Sequence, residues 1–297
     1  MSKNSQNIRT DLCPPGMRKP AWLKVRYTVN DDFRDMRDIV RQNHLYTVCE
    51  EAHCPNQGEC WRHRTATIMI LGRICTRNCR FCAVQPGMPQ PPDLAEPERV
   101  ARAVSLMGLK YAVITSVTRD DLPDYGAEQW AMTIRAIRRQ NPHCKIEILI
   151  PDFKGDQTAL KTVLAEKPDV LGHNLETVRR LYPLARPQAD YSQSLAVLEN
   201  AKALGAVTKT GIMVGLGEAD SEIIELMKDA RKVQCEIFTA GQYLQPTGKH
   251  LPVERFVTPD EFREIENTGS RLGFRGVLAG PLVRSSYHAE QLIQSER

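Results

Sequence analysis

Residues 67–82 read TIMILGRICTRNCRFC: an apolar, β-branched run and then three cysteines. Thr67–Leu71 lacks the alternation of a strand with one wet face, so it predicts a short strand covered on both sides. Cys75, Cys79 and Cys82 follow as CxxxCxxC, which puts them in the loop after that strand. Outward from there, five more short apolar runs repeat the pattern: Tyr111–Ser116, Lys145–Ile150, Asp169–Leu171, Thr210–Val214 and Ile237–Leu244. Helix signals fall between them. Glu96-Pro97 opens a stretch with Val100, Val104 and Met107 on one face, and Gly108 stops it. Asp156 caps a helix through Leu160, Val163 and Leu164, and Asp190 or Ser192 starts another that closes at Gly205. Ser221 begins one running toward Val233, and Thr258-Pro259-Asp260-Glu261 forms a capping box with proline in the first turn. Six such βα units imply an α/β fold with a parallel sheet curled into a partial (β/α)6 barrel of TIM type. The cysteine loop then lies at the C-terminal face, where such barrels keep their chemistry.

Composition narrows that chemistry. The 297 residues are 41% hydrophobic, and 40 basic against 36 acidic residues leave a formal +4, too mild to argue for nucleic acid. No apolar run approaches the roughly 18 residues of a membrane span. The first residues lack the hydrophobic core of a secretory signal, so a cytoplasmic protein is expected. Of nine cysteines, six lie between Cys49 and Cys82. Clustered thiols in a large chain without an export signal point to metal and away from disulfides. Cys13 reads as incidental, and Cys144 and Cys235 as small buried hydrophobes.

Three thiolates at CxxxCxxC spacing suit three irons of a cubane and leave the fourth open to a small ligand. Zinc usually takes paired knuckles totalling four ligands, and His63 is poorly spaced to supply one. CxxxCxxC after a first barrel strand, with Phe81 before the last cysteine, resembles the signature of radical S-adenosylmethionine (radical SAM) enzymes. The resemblance implies that Cys75, Cys79 and Cys82 hold a [4Fe-4S] cluster whose open iron binds the amino and carboxylate groups of S-adenosylmethionine. Reductive cleavage there yields a 5′-deoxyadenosyl radical, with Phe81 near the adenine. The same likeness sets Asn174 and Glu176 near the ribose and methionine, Arg186 at the carboxylate and the Thr115–Asp121 loop at the amino group. Gly215 and Gly217 fall on the adenine side. His173 reads as a packed, hydrogen-bonded histidine.

A second triple, Cys49-x4-Cys54-x5-Cys60, precedes the barrel. With ILGRICTRNCRFCAV, VITSVTRDDLPD, IPDFKGD, LGHNLETV, TGIMVGLGE, GQYLQPT and AGPLVRSSY, it resembles the lipoyl synthases over Trp22–Tyr287. This implies an auxiliary [4Fe-4S] cluster on Cys49, Cys54 and Cys60, completed by Ser286. The implied substrate is an octanoyl-lysine on a lipoyl-carrier protein, either a lipoyl domain of a 2-oxoacid dehydrogenase or the glycine cleavage H protein. Two sulfurs enter at C6 and C8, with the auxiliary cluster as donor and a ferredoxin or flavodoxin as reductant; no nucleic acid or membrane partner is implied. The chain divides into an extension (1–64), a barrel (65–280) and a C-terminal segment (281–297) that brings the serine. Arg62, Arg64 and Arg77 would steer an acidic carrier to the mouth. A biotin-synthase-like enzyme gives no reason for the second triple or for RSSY. An iron–sulfur electron carrier or a zinc-stabilised interaction protein is separable by iron and sulfide content. The chain departs from the family at Arg73, at Tyr125, where many members have glycine, and at His63-Arg64, in place of a glycine-containing stretch.

Overall fold

Residues 18–25 and 29–294 are described in a computed structural model of the chain; Cys13 lies outside them. Ahead of the barrel, α1 (Asp31–Gln42) starts where the Asn30 side chain accepts the Phe33 amide, a cap that satisfies one free donor of the first turn. It buries Phe33, Met36, Ile39 and Val40. Then come β1 (Tyr46–Thr47), α2 (Val48–Glu51) and α3 (Gln57–Arg62). Trp61 is fully buried, its ring centroid 5.1 Å from that of Phe33, so α3 is fixed on α1. Cys49 and Cys60 ride on α2 and α3.

The barrel begins at β2 (Thr67–Ile70), buried throughout. A small parallel pair follows, β3 (Ile74–Cys75) and β4 (Gln85–Pro86). The chain then alternates through α4 (Glu96–Met107), β5 (Tyr111–Ser116), α5 (Ala127–Gln140), β6 (Lys145–Leu149), α6 (Gln157–Ala165) and β7 (Val170–Gly172). Next are α7 (Tyr182–Ala185), α8 (Tyr191–Ala203), β8 (Thr208–Val214), α9 (Asp220–Lys232), β9 (Ile237–Gln242), α10 (Pro259–Arg271), β10 (Gly276–Gly280) and α11 (Gln291–Gln294). The sheet runs β1-β2-β5-β6-β7-β8-β9-β10, antiparallel at β1–β2 and parallel everywhere else. β1 and β10 do not pair, so the barrel stays open.

The six expected strands all form, and the expected helix starts hold with small shifts. Asp190, not Ser192, caps α8 through the Gln193 amide. α9 starts at Asp220, with the Glu222 carboxylate accepting the Ala219 amide. The structure adds α5 and β10, which the sequence pattern leaves out. α5 has an apolar face of Trp130, Ile134 and Ile137, but its N-cap is a glycine, Gly126, and the carboxylate that accepts a first-turn amide comes from Asp124, further upstream. β10, GVLAG, is weakened as a strand signal by its two glycines.

Inside the barrel, Glu147 on β6 accepts from Lys209 on β8 (2.8 Å) and from Tyr111 on β5 (2.5 Å). β6 and β8 are not neighbours, so these side chains meet across the lumen. Ala289 packs on Tyr111 and Val113, and α11 packs on β10. The chain after β10 therefore runs from the C-terminal face of the barrel back toward its N-terminal end.

Candidate active site

The first cysteine triple sits in the loop leaving β2. Amides of Arg77 and Thr118 both point at the Cys75 sulfur, each at 3.4 Å. The Thr76 hydroxyl donates to the Thr118 carbonyl (3.0 Å) and accepts the Asp120 amide (3.0 Å). Arg77, only 5% exposed, forks onto both oxygens of Asp120 (2.7 and 3.0 Å) and both of Asp152 (2.8 and 2.6 Å). That corrects its expected role: a guanidinium clamped between two carboxylates fixes the loop and steers nothing. Arg64 is likewise engaged, 2.9 Å from Asp35, while Arg62 remains exposed. His250 donates from Nε2 to the Cys82 carbonyl at 2.9 Å. Burial pushes the Cys82 thiol up to about 12 and raises that of Cys79, against which Arg186 works. A thiol so desolvated ionises when a metal takes the place of its proton.

Across from this loop, Asn174 and Glu176 follow β7. Glu176 is left-handed (φ +65°), and its backbone bonds Gly211 and Met213 of β8 at 2.9 and 2.8 Å. The Asn174 amide donates to Glu176 (3.2 Å) and to the Ser285 hydroxyl (2.8 Å). Arg186 donates from Nη1 to the Asn174 carbonyl (3.0 Å) and the Tyr182 hydroxyl (3.1 Å), while its buried Nε has no partner. Burial raises the Glu176 carboxyl, opposed by Arg186 and Asn174. His173 is packed as expected, with Nδ1 donating to the Ile150 carbonyl at 2.9 Å, yet its Nε2 is unpartnered. Burial holds its pKa down to about 4. At Gly215 (φ +97°) a Cβ would sit 2.2 Å from Gln242 Nε2. The Gly215 and Leu216 amides donate to Glu218 at 2.6 and 2.9 Å. The turn holding Gly215 and Gly217 is thus shaped by its own side chains. Phe81, half-buried, packs on the core around Leu175, Leu216 and Tyr243.

The second triple meets the C-terminal segment. Asn56 donates to the Leu282 carbonyl at 2.7 Å, and the Tyr287 hydroxyl donates to Glu59 at 3.0 Å. These two bonds bracket Ser285 and Ser286 and lay them beside Cys54 and Cys60. Ser285 is taken, exchanging hydrogen bonds with Asn174; Ser286 has no hydrogen bond among the described residues. Burial pushes the Cys49 thiol up to about 12 and Cys60 higher, with Cys49 further raised by Cys54 and Cys60 by both Cys49 and Cys54. All eight described cysteines are free, and Cys144 and Cys235 are buried, with the Cys235 thiol donating to the Thr208 and Ile237 carbonyls. Among the described residues no three His, Cys, Asp or Glu side chains converge on a single ion. Zinc would need its ligands gathered within about 2.3 Å of one point; a cubane takes one thiolate at each corner.

The Radical SAM superfamily model matches residues 69–230. The lipoyl synthase of Rubrobacter xylanophilus is 56% identical over 281 residues, 94% of this chain and 88% of that one. That of Roseiflexus sp. is 51% identical over 293 residues, 98% and 97% of the two chains. The chain belongs to the lipoyl synthases. It is therefore a radical SAM enzyme that inserts sulfur, with [4Fe-4S] clusters and S-adenosylmethionine as cofactors and a lipoyl-carrier protein as substrate. The solved structure of HydG, a maturase of the [FeFe]-hydrogenase, shares the fold alone: TM-score 0.57 at 16% identity, over 90% of this chain and 60% of that one. Among the described residues no helix is long and apolar enough to cross a membrane.

The residues fit these cofactors. Neither triple is tied up in disulfides, burial desolvates Cys49, Cys60, Cys79 and Cys82, and the unpartnered Arg186 Nε beside Cys79 and Glu176 is a donor waiting for a carboxylate. Sequence reasoning missed the Arg77–Asp120–Asp152 clamp and the part played by Ser285. Both lie inside the motifs that carry the family likeness, but ion pairing between distant loops leaves no spacing signal.

Proposed function

We propose that Cys75, Cys79 and Cys82 hold the radical-generating cluster and that Cys49, Cys54, Cys60 and Ser286 hold the sulfur-donating one. When bound, the first cluster and S-adenosylmethionine supply the radical that breaks an unactivated C–H bond, which no side chain is basic enough to do. The protein's part is position. Arg77 pins the loop carrying Cys75, and the Arg77 and Thr118 amides donate to its sulfur. Arg186 takes the cofactor carboxylate through its free Nε, with Asn174 and Glu176 beside it and Phe81, Gly215 and Gly217 toward the adenine. The Thr115–Asp121 loop contributes through Thr118, whose amide and carbonyl are spent on the cluster loop.

The observation that carries the second assignment is the bracketing of Ser286 by the Asn56–Leu282 and Glu59–Tyr287 bonds, with Ser285 already engaged. A serine oxygen is a harder ligand than thiolate, so the iron it holds is the labile corner from which sulfur leaves. The two sulfurs enter C6 and C8 of an octanoyl-lysine on a lipoyl domain or H protein, with a ferredoxin or flavodoxin as electron donor. A reducing cytoplasm suits six unpaired thiols.

Anaerobic turnover of an octanoyl-lysine peptide with S-adenosylmethionine and reductant, followed by mass spectrometry, tests the division. Cys75→Ala should abolish 5′-deoxyadenosine formation. Ser286→Ala should keep 5′-deoxyadenosine and lose the dithiolated product; unchanged product in Ser286→Ala would remove serine from the ligand set.

A further inference from the structure

Two buried or half-buried arginines of the barrel mouth, Arg186 and Arg284, have no carboxylate partner among the described residues. Arg77 and Arg119, both buried, each fork onto aspartates. Arg186 lies beside Cys79 and its free Nε suits the cofactor carboxylate. Arg284 has no such assignment. Its Nη1 donates to the Val283 carbonyl at 2.7 Å, and that is its one side-chain hydrogen bond among the described residues. Desolvation is the strongest influence on it, and the only ionisable group acting in its favour is Cys54.

The fold goes to some length to hold this charge in place. A Cβ on Gly241 of β9 would sit 2.0 Å from the Val283 carbonyl oxygen and 3.1 Å from Arg284 Nη1. Only bare backbone lets Val283 and Arg284 lie flat on the strand end. An unpaired guanidinium held so in a desolvated place is unfavourable unless an anion joins it. The second cysteine triple supplies one. Three thiolates and a serine alkoxide around a dicationic cubane core leave a net charge of about −2.

We propose that Arg284 is the counter-ion of the auxiliary cluster, laid over Gly241 beside Cys54 so that its fixed positive charge holds the cluster and favours its reduced state. The proposal rests on the auxiliary-cluster assignment above. It makes Arg284 a positioning and electrostatic residue, distinct from the ligands, and explains why the serine motif opens with arginine when that side chain forms no ion pair.

The test uses the full chain carrying Cys75→Ala, Cys79→Ala and Cys82→Ala, reconstituted anaerobically. About four irons and four sulfides per chain establish the auxiliary cluster; none would sink the assignment and leave Arg284 without a role. In that background, Arg284→Met should move the cluster's reduction midpoint to lower potential, read by EPR-monitored titration, and Arg284→Lys should stay near the parent. The melting temperature of the metal-free chain should rise in Arg284→Met, because a desolvated unpaired charge has gone; a merely structural arginine would lower it. A loaded Arg284→Met with the parent midpoint overturns the proposal. Failure of Arg284→Met to load, while Arg284→Lys loads, supports it. Failure of both to load overturns it, since lysine keeps the charge.

Discussion

Arg77 shows how a single side chain serves the chemistry without touching it. Among the described residues it is the one side chain that ties the first cysteine loop to the loops after both β5 and β6. Arg77→Met would strand two desolvated carboxylates and should lower the stability of the metal-free chain by about 3–5 kcal/mol in urea denaturation. Arg77→Lys keeps a charge but cannot fork onto both aspartates, so it should recover only part. A change within experimental error in Arg77→Met would mean the clamp is not held in solution. His173 makes a second prediction, in pH. It is neutral in the fold with a pKa of about 4, against about 6.5 unfolded. A depressed folded value contributes stability above pH 6.5 that is lost as the pH falls toward 4, here about 3 kcal/mol. His173→Gln should flatten the stability profile of the metal-free chain between pH 7 and 4, and an unchanged slope would exclude the assignment. Two departures from the family also make sense at this scale. Tyr125 and Arg64 stand at φ +57° and +54°, the left-handed region that glycine favours. The sequence displays the substitutions, but not the backbone angle that would suit glycine at both positions.

Among the elements, the end of β9 and the segment after β10 act as a pair. The Gly241 backbone is bare because Val283 lies on it, and the same segment is pinned by Asn56, Glu59 and Asn174. Gly241→Ala cannot be accommodated by a side-chain shift, because the opposing atom is a backbone carbonyl. The expected outcome is a folded chain whose C-terminal segment is released. Limited proteolysis should cut it early after Gly280, and reconstitution should give about four irons in place of about eight. Full iron content with an uncut segment would show that the segment has another seat. How legible these elements are in the sequence follows from where their signals lie. Strands β2 and β5 to β9 declare themselves because they are largely buried on both faces, and α10 because Thr258 and Glu261 cap it reciprocally. α5 starts at a glycine N-cap, β10 carries glycines at both ends, and the closure of the segment onto Gly241 depends on contacts between residues far apart in the chain. The cysteine triples were readable because metal ligation imposes short spacings. The Arg77 clamp and the Ser285–Asn174 exchange were not, because a hydrogen bond across 111 residues imposes none.

At the scale of the whole molecule, one segment joins the two sites. Ser285 bonds Asn174, while Leu282 and Tyr287, three residues before and two after, bond Asn56 and Glu59 at the start of α3, between Cys54 and Cys60. Side chains from β5, β6 and β8 close the lumen behind them with the buried Tyr111–Glu147–Lys209 cluster. One segment thus touches the surroundings of both cysteine triples within one chain, and on the proposed assignment a radical made at the first would meet substrate held beside the second. Proximity of this kind turns the two half-reactions into an intramolecular sequence. The consequence can be tested without disturbing the fold. Cys75→Ala and Cys60→Ala proteins, each bearing one intact triple, should each fail to make dithiolated product. Mixed in equal amounts with octanoyl-lysine peptide, S-adenosylmethionine and reductant, they should still fail, although the Cys60→Ala protein continues to form 5′-deoxyadenosine. Recovery of product on mixing would mean that substrate radicals travel between chains, and that the single lumen is not where carbon and sulfur meet. Continued failure, with each variant shown to hold its remaining irons, ties the two chemistries to one chain and gives the Ser285–Asn174 contact a reason: it fixes the distance between them.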